Sequence, residues 1–173
     1  RFYERLEIRN ALAYLRLLEN RADDTSFERV VNVPVRGIGA RTLEDIREYA
    51  RANALSLWDS ARAAAGGQLT ARAANAVQAF LVLIETLARD TKGLPLHEQV
   101  DHVLERSGLL AHFRKDKGEQ GETRIENLEE LVNAAESFEP DEQEELPPLV
   151  AFLAHAALEA GEGQADKWED CVQ

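Results

Sequence analysis

Apolar residues recur along this chain at helical spacing almost from end to end, and no stretch alternates long enough to make a useful strand. Ile8, Ala11, Leu12, Leu15 and Leu18 follow the i, i+3, i+4, i+7 rule, with Arg5, Arg9 and Arg16 largely off that face. The period returns at Phe27, Val30 and Val31 behind the capping run Asp23-Asp24-Thr25-Ser26, with Pro34 as the stop. It returns again at Leu43, Ile46 and Tyr49 behind Thr42, where Glu44 and Asp45 suit a first helical turn, and at Trp58 and Ala61 between Ser56 and Gly66-Gly67. Thr70 opens the longest stripe, Ala74, Val77, Phe80, Leu81, Ile84 and Leu87, which Lys92-Gly93 ends. Pro95 suits the start of a helix carrying Val100, Val103 and Leu104 as far as Ser107-Gly108. Leu109, Leu110 and Phe113 follow; Thr123 caps Ile125, Leu128, Leu131 and Ala135; and Leu149 to Leu158 form a last apolar helix before Gly161-Glu162-Gly163 loosens the chain. The pattern predicts an all-α fold, a compact bundle of about eight helices in which residues 1–173 form one domain.

Charge narrows the function. The chain carries 20 basic and 32 acidic residues, a net −12, which argues against a surface attracted to polyanions everywhere. Residues 1–51 nevertheless hold ten arginines against nine acids, while the remainder carries a net −13, so any contact with nucleic acid belongs in the first third. Glu136 to Glu145, broken by Pro140, reads as a solvated acidic loop or a docking surface for a basic partner. The single cysteine, Cys171, forms no internal disulfide and suits a reducing, intracellular setting. No uninterrupted apolar run approaches the roughly 18 residues that a bilayer requires, and the N-terminus lacks a signal peptide's apolar centre, so a soluble protein with no membrane partner is expected. The chain has no methionine, which fits a piece processed or cut from something longer.

Chemistry-bearing patterns are few. Gly161 to Lys167 lacks the spacing and hydroxyl of a P-loop, and His97, His102, His112 and His155 lack paired ligand spacing. No catalytic or metal-binding residue is assigned, and the fragment is not expected to be an enzyme. Trp58 lies in register with Leu55 and Ala61, as a core residue would. The informative element is Arg36-Gly37-Ile38-Gly39-Ala40-Arg41-Thr42 between two helices. Glycines on either side of one apolar residue allow a turn whose amides point outward together with those of the next helix's first residues. Such amides and the positive end of a helix dipole suit a phosphate oxygen, with Ile38 anchoring the turn and Arg36 and Arg41 adding charge. The same three residues can also be merely a turn between helices. Arg114, Lys115 and Lys117 form a possible secondary DNA contact or a solvated loop, since Asp116, Glu119 and Glu122 dilute their charge.

These residues resemble a family. Arg1 to Leu12, Phe27 to Asn32, Arg36 to Gly39, Thr123 to Leu131 and His155 to Glu159, in that order, are similar to the 2B subdomain of the UvrD/PcrA/Rep group of superfamily 1 DNA helicases. The resemblance implies an all-helical insertion into a motor domain, with residues 164–173 as the return linker. It implies a parent that unwinds DNA 3′ to 5′ for repair in the bacterial cytoplasm with ATP and magnesium, whose motor residues lie outside this chain; the fragment itself needs no cofactor. For the piece it implies contact with duplex DNA at a single-strand/double-strand junction through Arg36 to Thr42, and rotation between open and closed states against the motor domains. The alternative is an autoinhibitory or protein-interaction module that docks DNA-repair or transcription proteins through its acidic helices.

Overall fold

A helix that starts at Leu6 and ends at Glu19, α1, is enclosed by its neighbours on nearly every side. Glu7, Ile8 and all residues from Asn10 to Leu15 are buried, as is Leu17, so the one-sided stripe expected of an amphipathic helix is a helix packed almost all round. A computed structural model describes the backbone of residues 1–172 and the side chains of residues 1–161. After a short 3-10 turn at Phe2–Glu4, the order is α1, α2 (Asp24–Val30), α3 (Ala40–Asn53), α4 (Leu57–Ala64), α5 (Ala71–Thr91), α6 (Leu96–Arg106), α7 (Leu109–Arg114), α8 (Glu119–Ser137) and α9 (Pro148–Val172), and there is no strand among the described residues. Helices α2, α5, α6, α8 and α9 all pack on α1, so its apolar positions become the centre of one core. Phe27 of α2 meets Phe80 of α5 edge to face, with ring centroids 5.7 Å apart, a pairing that adds about 1 kcal/mol to the burial of each ring.

Local chemistry sets most boundaries. Asp23 accepts from the Ser26 amide, Ser56 from that of Asp59 and Thr70 from that of Ala73, so these three residues cap α2, α4 and α5 as their side chains suggest. Asp24 reaches across to accept from the Leu57 amide, and the buried Ser60 hydroxyl donates to the Ile46 carbonyl at 2.6 Å, tying α4 to α2 and α3.

Elsewhere the ends differ from the pattern. Gly39, not Thr42, precedes α3, which leaves Thr42 in the first turn and no acid there. Pro95 caps α6 from outside it. The basic loop is shorter than its glycines suggest: α8 begins at Glu119 behind Gly118, and Thr123 lies inside it with its hydroxyl on the Glu119 carbonyl. Gly121 is buried in that first turn, where a Cβ would stand 2.4 Å from the Asp116 carbonyl oxygen; close approach, not flexibility, requires glycine here. α9 continues through Gly161-Glu162-Gly163, since an isolated glycine costs a helix only about 1 kcal/mol. The side chains of Trp168 and Cys171 lie outside the described ones, as does Gln173 altogether.

α5 is long and apolar enough to cross a membrane by length and composition. Its Val77, Phe80, Leu81, Ile84 and Leu87 are instead buried against α1, α4 and α6, the use a globular core makes of such a stripe.

Candidate nucleic-acid interface

The segment from Val31 to Gly39 turns the chain between α2 and α3, and buried groups below it hold its shape. The Asn32 side-chain oxygen accepts from the Arg36 amide at 2.7 Å and the Ile38 amide at 3.2 Å, bridging the turn from inside. Ile38 is 2% exposed and plugs the hairpin into the core. Gly37 sits at φ +82°, where a Cβ is strained, so this glycine is required by its backbone. Gly39 has φ −83° and ψ −178°, extended backbone open to any residue, and a Cβ built there meets nothing within 4 Å. The two glycines therefore have different reasons to be glycine: one makes the turn, and the other keeps its outer surface bare.

With Arg36 and Ile38 occupied by Asn32, the amides of Gly37, Gly39, Ala40, Arg41 and Thr42 have no acceptor among the described residues. The last three are the orphan donors of the first turn of a 14-residue helix, where the dipole favours an anion. Gly37, Gly39, Ala40 and Arg41 are exposed, and Thr42 is half-buried. The arrangement can hold an oxyanion by backbone donors alone, which carries no sequence information.

Arg36 plays a part the sequence did not suggest. Its guanidinium turns inward: one nitrogen donates to the carbonyls of Val30 at 2.9 Å and Val33 at 3.0 Å, and the other to that of Ser107 at 3.0 Å and to the Tyr14 hydroxyl. It lies 5.3 Å from the Phe80 ring centroid and 5.6 Å from that of Tyr14. The Tyr14 hydroxyl in turn donates to the Val33 carbonyl, and burial pushes its pKa above the ordinary value against the lowering effect of Arg36. The charge left facing outward at the hairpin is that of Arg41, which is exposed, as is Val35 at 81%. Spacing along the chain does not mark Tyr14 or Asn32 as site residues. The one sequence signal was an asparagine four residues before Arg36, within reach of a turn's amides.

The second basic segment is arranged differently. Arg114 forms a two-pronged pair with Glu105, at 2.9 and 3.2 Å, which holds the Glu105 carboxyl below the usual carboxylate range. Lys115 and Lys117 are exposed, and Asp116 between them accepts from the Gly118 amide. The loop from Glu139 to Pro147 is exposed along its whole length. Among the described residues there is no cluster of side chains that could hold a metal ion.

Residues 1–173 match the family model of the UvrD-like helicase C-terminal domain. DNA helicase II of Salmonella typhimurium is 56% identical over 175 residues that cover 100% of this chain and 24% of the relative, and DNA helicase II of Escherichia coli is 55% identical with the same coverage. The ATP-dependent DNA helicase PcrA of Bacillus subtilis is 37% identical over 170 residues, covering 98% of this chain and 23% of the relative. The chain thus spans about a quarter of the length of these curated relatives.

Proposed function

The chain belongs to the UvrD-like helicase C-terminal domain family, and from that premise we propose that it is the 2B subdomain of an ATP-dependent DNA repair helicase that grips the backbone of duplex DNA ahead of the fork. The observation that carries this reading is the set of five acceptor-free amides from Gly37 to Thr42 on the outer side of a turn whose inner amides Asn32 has already filled. Phosphate oxygens of paired strands approach such a surface without base contacts, so binding is independent of sequence.

Gly37, Gly39, Ala40, Arg41 and Thr42 are the contact residues of this proposal; Ile38 and Arg36 hold them in place from beneath. In the intact helicase, ATP and magnesium act at motor residues outside this chain, and residues 164–173 lead back toward them. The subdomain rotates between open and closed arrangements, and tethering to the motor raises the effective concentration of a contact that alone is weak. The bacterial cytoplasm is the compartment that fits this role.

Gly39→Leu in the full-length helicase is the direct test. The extended backbone and open surroundings of Gly39 accept a Cβ, so the fold is kept with a loss of about 1 kcal/mol for the poorer helix cap, while the leucine stands where phosphate must approach. Affinity for a duplex with a single-stranded tail should fall about tenfold, the loss of one or two charge-assisted hydrogen bonds, with single-strand-stimulated ATP hydrolysis intact. Normal duplex binding and unwinding by this variant would remove the hairpin from the interface.

A further inference from the structure

A cavity of about 360 Å³ lies between α1, α2 and α9, and three arginines converge on it: Arg9 and Arg16 from α1 and Arg29 from α2. Arg21 is paired with Glu85, Arg47 with Glu28 and Glu44, Arg51 with Glu44, and Arg114 with Glu105, whereas Arg9, Arg16 and Arg29 make no ion pair among the described residues. Arg5, Arg36, Arg41, Arg72 and Arg106 also make no ion pair among the described residues; what sets Arg9, Arg16 and Arg29 apart is that three such arginines share one cavity. Arg29 has a long hydrogen bond to the Asn10 side chain at 3.4 Å, and Asp23, the acid that acts on Arg16, is engaged with the Ser26 amide. Burial, and then repulsion from Arg9 and Arg16, hold Arg29 below its ordinary pKa. Three like charges against the buried Leu12 and Ala156, none of them in an ion pair among the described residues, are a positive site that an anion would relieve.

The surroundings select the kind of anion. Glu4 lines the same cavity, and Glu159 acts on Tyr3, which also lines it, so carboxylates stand at the border of the positive floor. A nucleic-acid strand brings a row of phosphates, and the neighbours of any seated one would face those acids. A single carboxylate on a short side chain brings one charge and no neighbours. In relatives about four times as long, most of the polypeptide lies outside the matched region.

We propose that the Arg9, Arg16 and Arg29 cavity is a docking socket for one Asp or Glu side chain of the helicase outside residues 1–173, a contact that fixes the subdomain in one orientation against the motor. The inference rests on the 2B reading, and its test is separate from the hairpin's. In the full-length helicase carrying Arg16→Lys, carbodiimide activates a carboxylate, and the new amine at position 16 displaces the activating group to form an amide. Mass spectrometry should then find a cross-link from position 16 to an Asp or Glu outside residues 1–173. Adding Arg9→Glu, at an exposed position, should cut its yield about tenfold, within the usual range of coupling between sites, with melting temperature and duplex affinity unchanged. Cross-links only within residues 1–173, or none, overturn the proposal. So does a loss of duplex affinity with a shallower salt dependence in the full-length Arg9→Glu variant, which would make the cavity a phosphate contact. Normal duplex binding by Gly39→Leu would instead count against the hairpin reading and leave the cross-link result standing.

Discussion

Arg36 shows how one side chain can be right in place and different in role. The sequence puts a cation beside a glycine turn, and charge alone directs it to phosphate. The structure instead gives its donors to the backbone carbonyls of Val30 at the end of α2, Val33 in the loop beyond it and Ser107 just after α6; Val30 also accepts from the Val33 amide and Val33 from the Tyr14 hydroxyl. Truncating it removes one donor from several carbonyls at once, so Arg36→Ala should cost about 3 kcal/mol, seen as a lower midpoint for this domain in chemical unfolding of the full-length helicase. Asn32→Ala removes the oxygen that fills the Arg36 and Ile38 amides. It should weaken duplex binding through a loosened turn, and amide hydrogen exchange at Ile38 should speed up. A variant that binds duplex normally with fast exchange at Ile38 would show that the turn need not be pre-shaped.

Among the helices, pairing across the short α6–α7 bend gives a prediction in pH. Glu105 is held below the usual carboxylate range chiefly by its hydrogen bonds from Arg114. A depressed folded-state pKa means that the contribution is present above the unfolded value of about 4.3 and lost as pH falls through the folded one. Both groups are largely exposed, so the energy is small. The titration is the informative measurement: Arg114→Ala should return the Glu105 carboxyl to the ordinary range in an NMR pH series. An unmoved titration would mean that the pair does not persist in solution. The helices themselves were legible because apolar spacing and caps such as Ser56 and Thr70 act within a few residues. Thr42 and Thr123 misled because a hydroxyl before an apolar stripe has the same pattern whether it precedes a helix or lies in its first turns. Gly39 and Gly118 hold the cap positions instead, with no side-chain bond to the first-turn amides, because a helix tolerates glycine there at a cost of a few tenths of a kcal/mol, about what a hydroxyl cap would add.

For the whole molecule the proposed function raises the question of how a chain of net −12 would hold a polyanion. With Arg36 turned inward, Arg41 is the one guanidinium that the hairpin segment presents, and the remaining donors are neutral amides. Few counterions are displaced by such a site, so the subdomain's share of the salt dependence should be shallow. Arg41→Gln in the full-length helicase should reduce the log–log slope of duplex binding by about 0.9, the share of one phosphate. An unchanged slope would move the charged contact elsewhere, with the exposed Lys115 and Lys117 next to be tested.

By itself the sequence determined an all-helical chain, the position of its glycine turn, the resemblance to a helicase subdomain and the third of the chain where positive charge gathers, because periodicity, caps and local charge are properties of near neighbours. Tertiary structure decided which cations face outward and which inward. It closed Arg36 over carbonyls at the ends of α2 and α6, filled two hairpin amides from Asn32 and left five open. It also brought Arg9, Arg16 and Arg29 around one cavity. A side chain's direction depends on which carbonyls, rings and carboxylates the packing of distant helices sets beside it, and spacing along the chain does not contain that.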